Sequence, residues 1–313
     1  MNKGYDKPLA ERLEDFLLYH KRGDGECNAV ILKEYCLRHG LDDIQKTKLA
    51  YFYSITYCCA SALYLLRDDE LIRKDPTGYG IANKHRIIFQ SDRKYIKMRD
   101  CFEQTLRFYC SDWEKIYAPT REALSSSRIN LPLWVNKVSR WPQFGRFSAF
   151  LFLETLQTVL GCGYINGTIT WKDGNTATSG LLNLFGHDKE ADAFDRGKFK
   201  PKQETLDGIY RGLLAAIRAY GGDDNTTKVE TSLCAYRKFY KGSRYNGFYL
   251  DRILAEINEL EASMPDICKE LLEIRAKCFD SIMLGEVRGW KGIRKEEKKR
   301  YLLEGTMYGL NTM

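Results

Sequence analysis

The sequence predicts a mainly α-helical protein with one small β hairpin. Three observations carry that expectation. Only seven prolines occur in 313 residues, too few for a loop-rich sandwich and compatible with long helices, whose interiors proline breaks. Apolar residues recur at helical spacing, most clearly Leu206, Ile209, Leu213, Ile217 and Tyr220 within Thr205 to Tyr220, closed by Gly221-Gly222. Strand-like alternation occurs from Tyr164 to Trp171 around Asn166-Gly167, with Asp173-Gly174 following. That is the best hairpin signal in the chain.

In chain order, the polar residues 1–25 hold one amphipathic piece, Leu9 to Tyr19, and Ala29 to Leu37 reads as a helix stopping at His39-Gly40. Asp42 or Asp43 can cap the next helix, Ile44 to Leu66, whose Tyr, Cys and Ala content predicts burial. From Arg67 to Lys97 the chain turns charged, with Pro76 and two nearby glycines, and reads as an exposed connection with one short strand, Arg86 to Gln90. Met98 to Trp113 is helical, and Pro119 to Leu124 begins a helix running towards Ser139. The central helix starts near Gln143 and stops at Gly161-Cys162-Gly163. Thr176 to Gly180 leads into a helix from Leu181 to Phe185, and Gly186 to Pro201 reads as polar surface. Helices follow from Thr231 to Tyr240, from Phe248 to Met264, and from Pro265 to Leu284, with proline suited to a first turn.

Composition bounds the function classes. Hydrophobic residues make up 44% and charged ones 29%, values ordinary for a soluble globular chain. The net charge of +7 is compatible with an anionic partner. The 20 tyrosines often neighbour Arg or Lys, a mixture suited both to stacking on bases and to ordinary surface snorkelling. The ten cysteines contain no CxxC pair and form no zinc spacing with the four histidines. Such dispersed thiols suit a reducing, cytoplasmic compartment. No apolar run reaches the ~18 residues of a membrane span, and the opening residues do not read as a signal peptide.

The stretch Ser139 to Gly161 organises the chemistry. On a 3.6-residue period Phe147, Phe150, Leu151 and Glu154 share one stripe, with Arg146 one step aside. A carboxylate on an apolar face either meets a basic group or has a raised pKa. Two readings stand for Glu154: an active-site acid, or a structural ion pair in a core helix. Two further regions hold residues beyond what packing needs. Thr178-Ser179-Gly180 at a helix start could offer free backbone N–H groups to an anion. Arg244 to Arg252 adds Arg244, Tyr245, Tyr249, Asp251 and Arg252 to the Arg140, Trp141, Phe144 and Arg146 of the central stretch. Guanidinium forks suit phosphate oxygens, and the aromatic rings suit a base. Metal, dinucleotide and serine-nucleophile motifs are absent, so no cofactor is expected. Cys162 between two glycines reads as a buried thiol before a nucleophile.

The combination of Trp141-Pro142-Gln143-Phe144-Gly145-Arg146, Thr178-Ser179-Gly180-Leu181-Leu182 with Gly186, and Tyr245-Asn246-Gly247-Phe248-Tyr249-Leu250-Asp251-Arg252 resembles the phage amino acid:DNA transferases of thymidine-hypermodification systems, over roughly residues 100–285. The resemblance implies a helical fold related to the DNA glycosylases. It implies partners too: DNA whose thymines have become pyrophosphorylated 5-hydroxymethyluracil, and a free amino acid whose amine displaces pyrophosphate from the 5-methylene carbon. The organisation expected from the sequence is an N-terminal helical region at 1–97 with the charged insert at 67–97, a catalytic domain at 98–285 and a basic tail at 286–313. Glu154 would take the amine's proton, with Asp251 second. Arg146, Arg140 and the Thr178–Gly180 turn would neutralise pyrophosphate, and Trp141 or Tyr249 would hold the displaced base. A non-catalytic phage DNA-binding protein and a base-removing glycosylase are the competing readings.

Overall fold

The computed structural model describes residues 7–23, 26–89, 98–170, 175–241, 244 and 247–279. Helices dominate, as the proline count and the apolar periodicity predict, and the β structure is one small two-stranded parallel sheet. The strand expected at Tyr164 is present, but its partner differs from the hairpin arm expected after Gly167. Strand β1 (Arg128–Asn130) pairs with β2 (Tyr164–Asn166), and the Tyr164 N–H donates to the Ser127 carbonyl at 3.0 Å. Gly163 allows this approach, since a Cβ there would lie 2.0 Å from the Ser126 carbonyl oxygen. Two helices bridge the strands, the crossover that parallel pairing demands. The expected downstream arm ends at Trp171, which with Asp173-Gly174 lies outside the described residues.

The described residues divide into two compact units, one drawn from the stretches 1–27 and 166–252, the other from 28–165 and 253–280. In the second unit the central helix, Arg146–Leu160, packs on Asp43–Thr56 and on Leu131–Val138. Its residues Ser148 to Leu156 are all buried, so it is a core helix enclosed on every side, with Ser148, Glu154 and Thr155 as its buried polar groups. Asp42 caps Asp43–Thr56 through a capping box with Gln45. The single helix expected from Ile44 to Leu66 is two, Asp43–Thr56 and Cys59–Arg67. They part at Tyr57, which adopts a left-handed φ of 55° and donates its N–H to the Tyr53 carbonyl. Nothing in the residue type announces that break, because tyrosine rarely enters this region.

The charged stretch after Arg67 also differs from the irregular connection expected. It forms helices Asp69–Lys74 and Pro76–Asn83. Asp69 and Glu70 begin the first and Arg73 and Lys74 end it, complementing the helix dipole. The Asp75 side chain caps the second by accepting the Gly78 N–H at 2.9 Å, with Pro76 in the first turn. Residues 84–86 make a 3₁₀ turn and 87–89 form no strand, while 90–97 lie outside the described residues.

In the first unit, helix Asn175–Leu184 packs on Thr226–Tyr240, Asp188–Asp195, Gln203–Ala219 and Leu9–Arg22. Phe16, Leu181, Leu206, Leu213, Ile217 and Leu233 form the centre of its core. Asp188–Asp195 corrects the irregular surface expected from Gly186 to Pro201. Its acidic first turn complements the dipole of a helix that buries Ala191 and Phe194. The last helix among the described residues is Pro265–Cys278, and the basic tail lies outside them.

Candidate functional site

In the second unit, Val138 ends its helix and the chain turns through Arg140 to Gly145 into the central helix. The turn is anchored by aromatic packing. The Trp141 ring lies 5.0 Å from Phe144, 5.5 Å from Phe152 and 5.9 Å from Phe108, centroid to centroid. Phe144 stacks on Tyr51 at 5.5 Å. Trp141 is 7% exposed and Phe144 5%, so packing already uses most of both rings. Arg140 is exposed and makes no hydrogen bond or ion pair among the described residues.

Gln143 takes a left-handed φ of 62° within this turn. It and Tyr57 are the two non-glycine residues with positive φ among those described, and both adjoin the start of the central helix. Gln143 precedes the helix, and the Tyr57 ring meets Phe147 edge-on at 5.6 Å. Backbone strain of this kind gathers where a site is held in shape. Arg146 opens the helix half-buried, its guanidinium 5.8 Å from the Phe150 ring. Glu154 is buried at 7% exposure. Two turns, about 12 Å of axial rise, separate Arg146 from Glu154, and Phe150 lies between them in the stripe. Cys162, just past the helix, has its thiol pushed up to about 12 by burial, which keeps it protonated.

In the first unit, Thr178, Ser179 and Gly180 do not form the free helix start expected of them. Their helix begins by Asn175, so these three stand past the orphan N–H groups of the first turn. Thr178 Oγ1 donates to the Thr170 carbonyl at 3.3 Å, and Ser179 Oγ donates to Asp195. A Cβ at Gly180 would sit 2.2 Å from the Leu233 carbonyl oxygen. Glycine here lets two helices approach, a packing role.

Around them lies a polar cluster that sequence reasoning missed. Arg237, 2% exposed, donates to Asn183 at 2.6 Å, to Asp192 at 3.2 Å and to Asp195. Lys241 also pairs with Asp195. Arg12 donates to Asp188 at 3.0 Å and to the Asn183 carbonyl at 3.0 Å. Burial pushes the Asp195 carboxyl up, but hydrogen bonds from Lys241, Ser179 and Arg237 outweigh it and hold the group below its ordinary value. Burial and the Asp188 hydrogen bond push the Tyr240 hydroxyl up to about 12. The signal was the spacing of Asp188, Asp192 and Asp195, which puts three carboxylates on one helix face.

The Arg244–Arg252 region does bring its expected residues together. Gly247, at a φ of 79°, turns the chain into the helix Phe248–Leu260. Arg244, half-buried, donates from Nη1 to the Tyr249 hydroxyl at 2.6 Å and stands 4.4 Å from the Phe248 ring. Arg252 lies 5.2 Å from the Tyr249 ring and is 4% exposed, and Asp251 is fully buried. Tyr245 lies outside the described residues. Two guanidinium groups on one tyrosine make a compact anion-attracting cluster. Among the described residues no three metal-ligating side chains converge, and no helix is long and apolar enough to cross a membrane.

Compared with known families, residues 79–245 match the model of the amino acid:DNA transferases, just over half of the 313-residue chain. The chain belongs to the amino acid:DNA transferase family. No curated protein and no solved structure matches it. As an amino acid:DNA transferase it takes DNA and an amino acid as substrates. The matched stretch contains Arg140, Arg146, Glu154, Thr178 to Gly180 and Arg244, and stops before Tyr249, Asp251 and Arg252. Of the two candidate carboxylates, Glu154 alone lies inside it.

Proposed function

We propose that this transferase joins the amine of an amino acid to the 5-methylene carbon of a pyrophosphorylated 5-hydroxymethyluracil in DNA, within a phage thymidine-hypermodification system. The new bond is N–C; the bond broken is the C–O to pyrophosphate, which departs with its electron pair. The amine gives up one proton. The observation that carries this reading is the match of residues 79–245 to the amino acid:DNA transferases, together with a buried carboxylate within that stretch, Glu154.

In this reading Glu154 receives the proton, with Asp251 as the alternative acceptor. Arg146, at the start of the central helix beside the strained Tyr57 and Gln143, neutralises charge building on the leaving pyrophosphate. Arg244, half-buried, offers its guanidinium to a phosphate oxygen of the DNA, and the buried Tyr249, whose hydroxyl accepts from it, holds that fork in place. Trp141 and Phe144, largely enclosed by neighbouring rings, shape the turn that carries Arg140 and Arg146.

The test is incubation of pyrophosphorylated hydroxymethyluracil DNA with single amino acids, followed by mass spectrometry of the digested nucleosides. Glycine, with the least hindered amine, is the first trial. A nucleoside heavier by the amino acid and lacking pyrophosphate is expected. Unchanged nucleosides with every amino acid would return the chain to a DNA-binding role, and abasic sites would mark a glycosylase.

A further inference from the structure

In the second unit a groove of about 560 Å³ opens between helix Trp113–Ser125 and the turn that carries Arg140. Three cations line it, Lys115, Lys137 and Arg140, against one carboxylate, Asp112. Its apolar wall includes Phe108 and Trp141, which pack against each other at 5.9 Å. We propose that this groove seats a stretch of the sugar–phosphate backbone of the DNA substrate, with Lys115, Lys137 and Arg140 each contacting a phosphate. The proposal rests on the reading of the chain as an enzyme acting on DNA, and adds to it a docking surface and two lysines.

The charges support this occupant. Arg140 has no hydrogen-bond or ion-pair partner among the described residues, so its fork of donors faces solvent. Lys115 pairs with Asp112 at 2.5 Å and Lys137 with Glu122 at 2.5 Å, but the lysine side chains are 67% and 45% exposed. Pairs so solvated contribute little, and a phosphate can replace the carboxylate at small cost. Glu122 does not line the groove, which leaves an excess of cations there. The ring wall suits the apolar faces of deoxyribose. Phosphate contacts fix where a duplex lies without reading its sequence, as required of an enzyme that presents a chosen base to a site of its own.

The experiment measures binding of the full chain to a fluorescent duplex carrying ordinary thymine, by anisotropy, across a salt series. Arg140→Ala, Lys137→Ala and Lys115→Ala should each weaken binding. Each should also lower the steepness of log affinity against log salt by about 0.9, the value of one phosphate contact. Glu122→Ala, which frees Lys137, should bind at least as tightly as the parent. Thermal unfolding of each variant checks that the fold is intact. If the triple variant keeps the parent's affinity and salt slope, the groove is not the DNA surface, although nucleoside transfer by the parent would leave the enzymatic reading standing. If poly-glutamate displaces the duplex as readily as a second duplex does at equal charge, the groove fits an acidic protein and the proposal falls. A parent that binds no duplex at all overturns the groove proposal, and nucleoside transfer by the parent decides the enzymatic reading separately.

Discussion

Arg244 donates from Nη1 to the hydroxyl of Tyr249 at 2.6 Å while its guanidinium carbon stands 5.1 Å from the same ring. The hydroxyl orients the fork and the ring face supports it, so the group reaches an anion pre-ordered and less entropy is lost on binding. The neighbouring Arg252 guanidinium lies 5.2 Å from that ring.

From this follows a graded pair of effects. Tyr249→Phe keeps the ring but removes the acceptor, and should slow single-turnover transfer by roughly tenfold, about the worth of one neutral hydrogen bond to a charged donor. Arg244→Ala removes the charge and should slow it by roughly 10²-fold. Equal rates for both variants and the parent would make the cluster a packing feature.

Gly180 and Gly208 offer a contrast in stability. A Cβ at Gly180 meets the Leu233 carbonyl oxygen at 2.2 Å and its carbon at 3.0 Å, both backbone atoms that cannot step aside cheaply. Gly180→Ala should therefore destabilise the fold by about 1–3 kcal/mol. Gly208, inside helix Gln203–Ala219, has nothing within 4 Å of that position. Gly208→Ala should instead stabilise by about 0.5–1 kcal/mol, the helix-propensity difference. Urea unfolding midpoints at unchanged slope report both. A neutral Gly180→Ala would mean that the two helices can separate.

How much of this was legible in the residues depends on the range of the cause. The helices closed by local signals were readable: Gly161 and Gly221 stop theirs at φ 73°, and Asp42 caps the helix that follows it. Tyr57 was not, since its left-handed turn is set by what surrounds it. The pairing of β2 was misjudged because Asn166-Gly167 speaks for a local hairpin, while the actual partner is reached through a helical crossover. Thr178-Ser179-Gly180 looked like an anion turn by composition. Gly180 is instead used for close approach to Leu233, Ser179 for the bond to Asp195 and Thr178 for the bond to the Thr170 carbonyl, contacts that composition does not announce. The Arg244–Arg252 cluster was legible because its members sit within one turn and one helix start.

Glu26 makes folding stability depend on pH. Burial raises its carboxyl from 4.5 to about 7, with Lys228, 3.5 Å away, pulling the other way. Between those values the folded chain holds a proton that the unfolded chain has released, so stability falls as pH rises from about 4.5 to about 7 and is level above. Burial lowers His20 below 6.5, which acts in the opposite sense just under that pH. The difference between variants therefore isolates the effect. Glu26→Gln should lose the decline seen in the parent across this window, measured by urea unfolding at several pH values. Parallel curves would show that Glu26 ionises in the folded state as it does in the unfolded one.

The assignment of the base turns on Glu154 and Asp251. Both are buried, at 7% and 0% exposure, and Glu154 alone lies within the stretch matched by the family. Amide replacement keeps shape and hydrogen-bonding reach but removes the proton acceptor. Glu154→Gln should thus keep folding and DNA affinity and lose transfer, by roughly 10²-fold or more. The loss should shrink at higher pH, where more of the amino acid is already free amine and needs no acceptor. Asp251→Asn should retain transfer within a few-fold of the parent. The pH dependence separates this role from a structural one, because a distorted fold should lose about the same factor relative to the parent at every pH, whereas loss of the base is relieved as the amine deprotonates. If Glu154→Gln turns over normally while Asp251→Asn is inactive but regains transfer at high pH, the proton goes to Asp251 and the central helix serves packing.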